Sequence, residues 1–230
     1  LVGSEMCIRD RIPNLVSTIS TIFFQAWNMS AIEENDSQDR SRFYHRVYDA
    51  YQSFMFIASA FLIVFLRVLS NILIDSSTYP EYATAYQYTP VLVLAVLIMC
   101  FNQFLSSVYT ATQHTTHSLW TNLVAAIVNI VLNIFLIRIW GIMGAAIATL
   151  VSYLACYCIR IVDARRYVPF PVNHAKFLSN MAILILLSMI VVETPPLWGL
   201  WLTIGFLFVI VYNFSAITLT LQELLHRKRR

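Results

Sequence analysis

The sequence predicts an all-α fold, a polytopic transmembrane helical bundle, and three observations carry that prediction. Hydrophobic residues make up 59% of the 230 and charged ones 12%, against about 25% charged in an ordinary soluble domain. A water-soluble fold could not cover that much apolar surface. Six strongly apolar stretches lie between residues 51 and 221, each about long enough to cross a bilayer as a helix. The basic residues collect at every second link between those stretches, as the preference of Lys and Arg for the cytoplasmic side requires.

Residues 1–10 (LVGSEMCIRD) read as a translated sequencing adapter and are set aside from fold reasoning. The natural chain is therefore expected to continue upstream, with residues 11–230 forming one membrane unit. Residues 12–27 form the first apolar stretch, a partial span. Its Pro13 suits a first helical turn, where the missing N–H has no partner to lose. The segment 33–49 (EENDSQDRSRFYHRVYD) is the most charged. Its Phe43, Val47 and Tyr51 share one helix face against Arg42, His45, Arg46 and Asp49, which predicts an amphipathic helix at the membrane surface over about 38–50.

Six complete spans follow, at 50–74, 89–112, 118–139, 142–162, 177–192 and 197–221. Length and the absence of strand-like alternation make each helical. The fifth is short and needs flanking residues or a thinner bilayer to cross. With six crossings, Arg40, Arg42 and Arg46, then Arg160, Arg165, Arg166 and Lys176, then the terminal 227–230 (RKRR) all fall on one side. That side is read as cytoplasmic, with the C-terminus there. Arg67, within a span near the opposite end, is expected to snorkel. Net charge is only +3 and the basic residues sit at helix ends, so nucleic acid is not an expected partner.

Polar groups inside lipid are costly unless paired, so they turn toward the bundle or a wet cavity. Asn129 and Asn133 lie four apart on one face, with Asn122 near the same stripe; Asn102 and Gln103 sit mid-span in the second complete helix, and Gln25 and Asn28 close the partial one. These seven are the candidates for a substrate cavity, with interhelical hydrogen bonding as the plainer role. In GIMGAAIA, the small residues Gly141, Gly144 and Ala145 predict close helix packing.

Chemistry is less evident. Cys7, Cys100, Cys156 and Cys158 read as small apolar side chains, because Cys156 and Cys158, two apart on a helix, point in different directions. His114 and His117 (HTTH) have helical metal-ligand spacing without a nearby carboxylate or thiol in sequence, which favours a solvated loop. No phosphate loop, metal cluster or nucleophile–base pair stands out, so neither an enzyme nor a cofactor is expected.

The runs IPNLVSTISTIFFQAW, YATAYQYTPVLVL and LVAAIVNIVLNIFLIRIWGIMGAAIATLVSY, in this order around a charged helix, resemble the C-terminal half of oligosaccharide flippases. These are polysaccharide biosynthesis exporters of the multidrug/oligosaccharidyl-lipid/polysaccharide (MOP) superfamily. The resemblance covers nearly everything after Arg11, and its most specific part holds Asn129, Asn133, Gly141, Gly144 and Ala145. It implies that 11–230 is the C-terminal lobe of a two-lobed, MATE-like transporter in a bacterial cytoplasmic membrane. The implied cargo is a lipid-linked oligosaccharide on polyprenyl pyrophosphate, flipped by alternating access together with an N-terminal lobe that is expected to carry the basic residues gripping pyrophosphate. A multidrug or cation antiporter of the same superfamily, and a membrane-bound glycan polymerase or acyltransferase, are the alternatives.

Overall fold

A computed structural model describes residues 11–33, 39–73 and 87–227. Among these residues the fold is entirely helical: α1 (Arg11–Glu33), α2 (Arg40–Val64), α3 (Leu66–Leu73), α4 (Thr89–Ala111), α5 (Thr115–Tyr167), α6 (His174–Glu193) and α7 (Trp198–Arg227). Residues 1–10, expected to lie apart from the fold, are outside the described residues, as is Cys7. Four helices, α2, α4, α5 and α6, are long and apolar enough to cross a membrane, and Trp198–Phe214 of α7 is a shorter apolar stretch.

The longest of them, α5, is two helices. At Gly141 the backbone turns to φ 56° and ψ −128°, the first central position of a type II′ turn, which glycine occupies without steric cost. Contacts across that point show the chain folding back on itself. Asn129 meets Ser152, Thr121 meets both Cys156 and Arg160, and His117 meets Asp163. The N-terminal arm, 115–140, and the C-terminal arm, 142–167, therefore run antiparallel, and the break falls where the sequence put a link between two spans. Beside the turn the arms touch backbone to backbone: a Cβ on Gly144 would stand 2.1 Å from the carbonyl oxygen of Leu136. Gly144 thus serves a close approach of the two arms. Gly141 does not: it is exposed, nothing lies within 4 Å of a Cβ built on it, and its role is the turn. Ala145 is half-buried and its carbonyl accepts from Thr149.

A second expectation changes at α2. The amphipathic stretch predicted as a separate surface helix over about 38–50 runs without a break into the apolar span from Arg40 onward; residues 34–38 lie outside the described residues. The reason is the width of its apolar face. Tyr44 and Tyr48 are fully buried beside Tyr51, and Phe43 and Val47 are partly buried against them. Lying flat would expose this aromatic stripe to water; extending along the bundle buries it. The helix breaks briefly at Phe65 and resumes as α3.

Aromatic rings from five elements form the centre. Trp27 of α1 stacks on Phe104 of α4 at 5.0 Å, Tyr51 of α2 stacks on Phe104 at 5.6 Å, and Tyr157 of α5 stacks on Phe177 of α6 at 4.8 Å. Tyr48 and Tyr157 share a hydroxyl hydrogen bond of 2.8 Å, so burial leaves neither unpaired. α7 packs along α2 and α6. The outward faces of α5 and α7, including Ile127, Ile130, Ile134, Ile204, Leu207 and Val211, are exposed. Lipid is as apolar as these side chains, so in a bilayer that exposure costs nothing.

The polar ends fall into place from contacts. Ser41 donates to the carbonyl of Pro169 and His45 Nδ1 to that of Pro171 at 2.7 Å; Lys176 Nζ bonds Asp49 at 2.8 Å. The starts of α2 and α6 and the end of α5 therefore share one basic end. At the opposite end, Arg67 donates twice to the carbonyl of Val191 and lies 5.3 Å over the Trp198 ring. It binds the C-terminal turn of α6, a favourable place for a cation. That turn ends in left-handed Thr194 before Pro195 and Pro196.

Candidate functional site

Between α4 and the inner face of the α5 hairpin lies a pocket of about 580 Å³. α4 supplies Asn102, Gln103 and Ser106; the N-terminal arm supplies Asn122 and Asn129; the C-terminal arm supplies Thr149, Ser152, Tyr153 and Arg160. Helical spacing makes this possible. Thr149, Ser152, Cys156 and Arg160 recur at steps of three and four on one arm, while Asn122, Ala125 and Asn129 do so on the other. Two antiparallel arms then present their polar stripes to one space.

Arg160 organises its basic end. It is 2% exposed, and its guanidinium is held by neutral acceptors only. Nε donates to Thr121 Oγ1 at 2.8 Å and Nη1 to the Asn102 carbonyl at 2.7 Å. Nη2 reaches the Ser118 carbonyl and hydroxyl and, at 3.0 Å, Asn122 Oδ1. Among the described residues Arg160 makes no ion pair, and no acidic side chain lines the pocket. A buried cation without a carboxylate leaves the pocket electropositive.

The predicted site residues divide. Asn102, Gln103, Asn122 and Asn129 line this pocket together. Asn102 is 5% exposed; its Nδ2 donates to the Tyr153 carbonyl at 2.9 Å, and its Oδ1 is left without a partner. Asn129 donates to Ser152 Oγ, and Asn133, one turn further, donates to both the carbonyl and Oδ1 of Asn129 without lining the pocket. Gln103 also accepts from Ser20 of α1 and borders a second cavity of about 290 Å³ with Thr21, Phe24 and Thr110. Gln25 is exposed on α1 and lines neither cavity; the side chain of Asn28 lies outside the described residues.

The MatE family model matches residues 41–135. That match supports membership of the MATE/MOP superfamily and, with the apolar helices, a multi-pass membrane protein. It covers α2, α3, α4 and most of the first arm of α5, and so includes four of the pocket's amides but not Arg160. No curated protein and no solved structure matches the chain.

In the sequence Arg160 reads only as one of the basic residues at a helix end, a marker of topology. The signal that could have singled it out is the 149–152–156–160 stripe, which carries the polar face of the C-terminal arm through to that arginine. The histidine pair also reads differently in three dimensions. His114 Nδ1 donates to the Thr112 carbonyl at 2.6 Å, within its own turn, while His117 Nδ1 meets Asp163 at 3.0 Å and Nε2 the Tyr167 hydroxyl at 2.9 Å. The carboxylate missing from the local sequence arrives from the far arm of the hairpin. Among the described residues no group of three or more His, Cys, Asp or Glu could hold a metal.

Proposed function

We propose that the chain is part of a flippase that carries a polyprenyl-pyrophosphate-linked oligosaccharide across the cytoplasmic membrane of a bacterium by alternating access, for cell-surface polysaccharide biosynthesis. The observation that carries this reading is the pocket itself: amides, hydroxyls and one unpaired cation gathered among apolar helices. A glycan head cannot cross hydrocarbon unaided, and its lipid tail has no need to leave it. Carboxamides suit sugar hydroxyls because each both donates and accepts. The Arg160 charge suits a phosphate or acidic group on the cargo.

The alternatives find less support in the same lining. A cation antiporter would be served by a carboxylate, and a polymerase or acyltransferase by a histidine or acid to move protons; the pocket wall carries none of these. In this reading the protein is not an enzyme, the basic end and the C-terminus face the cytoplasm, and an N-terminal lobe of the same chain closes the cavity.

The test is export of glycan by the intact protein carrying Asn122→Leu or Asn129→Leu. Each is expected to lower surface polysaccharide about tenfold at normal protein level, as loss of a polar contact worth roughly 1–2 kcal/mol implies, and to accumulate lipid-linked glycan inside. Full export from both variants would remove the pocket from the cargo path, and loss of drug efflux with export intact would favour the antiporter.

A further inference from the structure

The α5 hairpin has a second groove, on the face turned away from the polar pocket. It holds about 500 Å³ between His117, Trp120, Thr121 and Val124 on one arm and Cys158, Ile159, Val162, Asp163 and Arg166 on the other. Its walls are apolar and open to the surroundings: Trp120 is 60% and Val162 61% exposed. The polar residues sit together at the basic end, where His117 and Asp163 meet. From His117 to Val124 the groove runs two helical turns, about 10 Å along the arm at 1.5 Å per residue.

We propose that this groove binds an anionic phospholipid, one acyl chain lying between the arms and the phosphate against Arg166. Charge at the mouth selects the headgroup. Asp163 Oδ2 is taken by the Tyr109 hydroxyl at 2.9 Å and by His117 at 3.0 Å, so Arg166 meets only Oδ1, at 3.8 Å. Its side chain is 75% exposed, which leaves most of the guanidinium fork to pair with a phosphate. Trp120 lies one turn from His117 at this polar mouth, and indole rings favour the membrane interface. Because the groove is formed by the two arms whose inner faces line the polar pocket, a lipid seated there braces the hairpin from outside.

The test is native mass spectrometry of the intact protein released from nanodiscs of equal phosphatidylglycerol and phosphatidylcholine. The wild type should retain phosphatidylglycerol about fivefold over phosphatidylcholine, the share one basic residue contributes near an anionic surface. Arg166→Gln should abolish that preference, Val124→Trp should reduce all retained lipid by filling the groove, and Arg165→Gln should leave the preference in place. Equal retention of the two lipids by the wild type, or equal losses from both arginine variants, overturns the site. So does a dimer mass without retained lipid, which would assign the groove to a second copy of the chain.

Discussion

Arg160 and Asn102 bind each other's helices: the guanidinium Nη1 donates to the Asn102 carbonyl at 2.7 Å, while the Asn102 side chain donates to the carbonyl of Tyr153, two turns from Arg160 on the same arm. α4 and the C-terminal arm of α5 are thus tied by polar bonds at both Asn102 and, through Tyr109 and Asp163, nearer the basic end. The tie also fixes the wall of the pocket. Replacing Arg160 by Leu is therefore expected to cost about 3–5 kcal/mol, because it strands several buried acceptors at once. Arg160→Lys should recover only part, since an ammonium cannot span the same fork of acceptors. Thermal unfolding in detergent measures both; equal stability of wild type and Leu variant would show that the tie contributes nothing.

Gly144 gives a sharper steric contrast. Gly144→Ala drives a methyl into the Leu136 carbonyl and should destabilise by about 1–3 kcal/mol through separation of the arms. Gly199→Ala, where nothing lies within 4 Å, should stabilise by about 0.5–1 kcal/mol. The two melting temperatures should move in opposite directions, and a shared direction would argue against the close approach at Leu136.

Buried Lys176 pairs with half-buried Asp49 and with Ser53, Nζ reaching Asp49 Oδ1 and Ser53 Oγ, each at 2.8 Å. Asp49→Asn alone leaves the ammonium without its counter-charge and should cost about 1–3 kcal/mol, less than a fully buried pair because Asp49 is partly exposed. Adding Lys176→Met should return most of that loss. A double-mutant cycle on thermal stability reads the coupling, and strictly additive effects would contradict the pairing.

Asn180 and Asn213 exchange side-chain amide bonds between α6 and α7 at 3.3 and 2.7 Å, both fully buried. Either single change to Leu should destabilise by about 1–2 kcal/mol, since the remaining amide keeps only the bond from its Nδ2 to its own helix, Asn180 to the Lys176 carbonyl or Asn213 to that of Val209, while its Oδ1 loses its donor in an apolar interface. The double change should lie closer to wild type than either single one. If it proves the worst of the three, the pair does more than satisfy itself.

The fold was largely legible because membrane helices declare themselves by length. The break between residues 139 and 142 was readable as a short link between two apolar stretches, and the chain turns there at Gly141. The start of α2 is less legible, because Phe43, Val47 and Tyr51 define a narrow apolar face in the sequence that Tyr44 and Tyr48 widen into a bundle surface. Four of seven cavity candidates converge because mid-span amides have few alternatives to facing inward. Arg160 escaped because a basic residue near a span's end looks like a topological marker. Its burial depends on Thr121, Ser118 and the Asn102 carbonyl, which only the folded hairpin brings to it.

The most direct test of a wet, polar path inside the membrane is thiol accessibility in the intact protein, with native cysteines replaced by alanine and single cysteines placed by Ser106→Cys, Asn122→Cys, Ser152→Cys, Ile130→Cys and Ile134→Cys. A small membrane-impermeant maleimide should label the three pocket positions and spare the two exposed apolar ones, which in this reading lie against hydrocarbon. Protection of positions 106, 122 and 152 to the same degree as 130 and 134 would mean the pocket is dry, and a polar cargo could not pass along it.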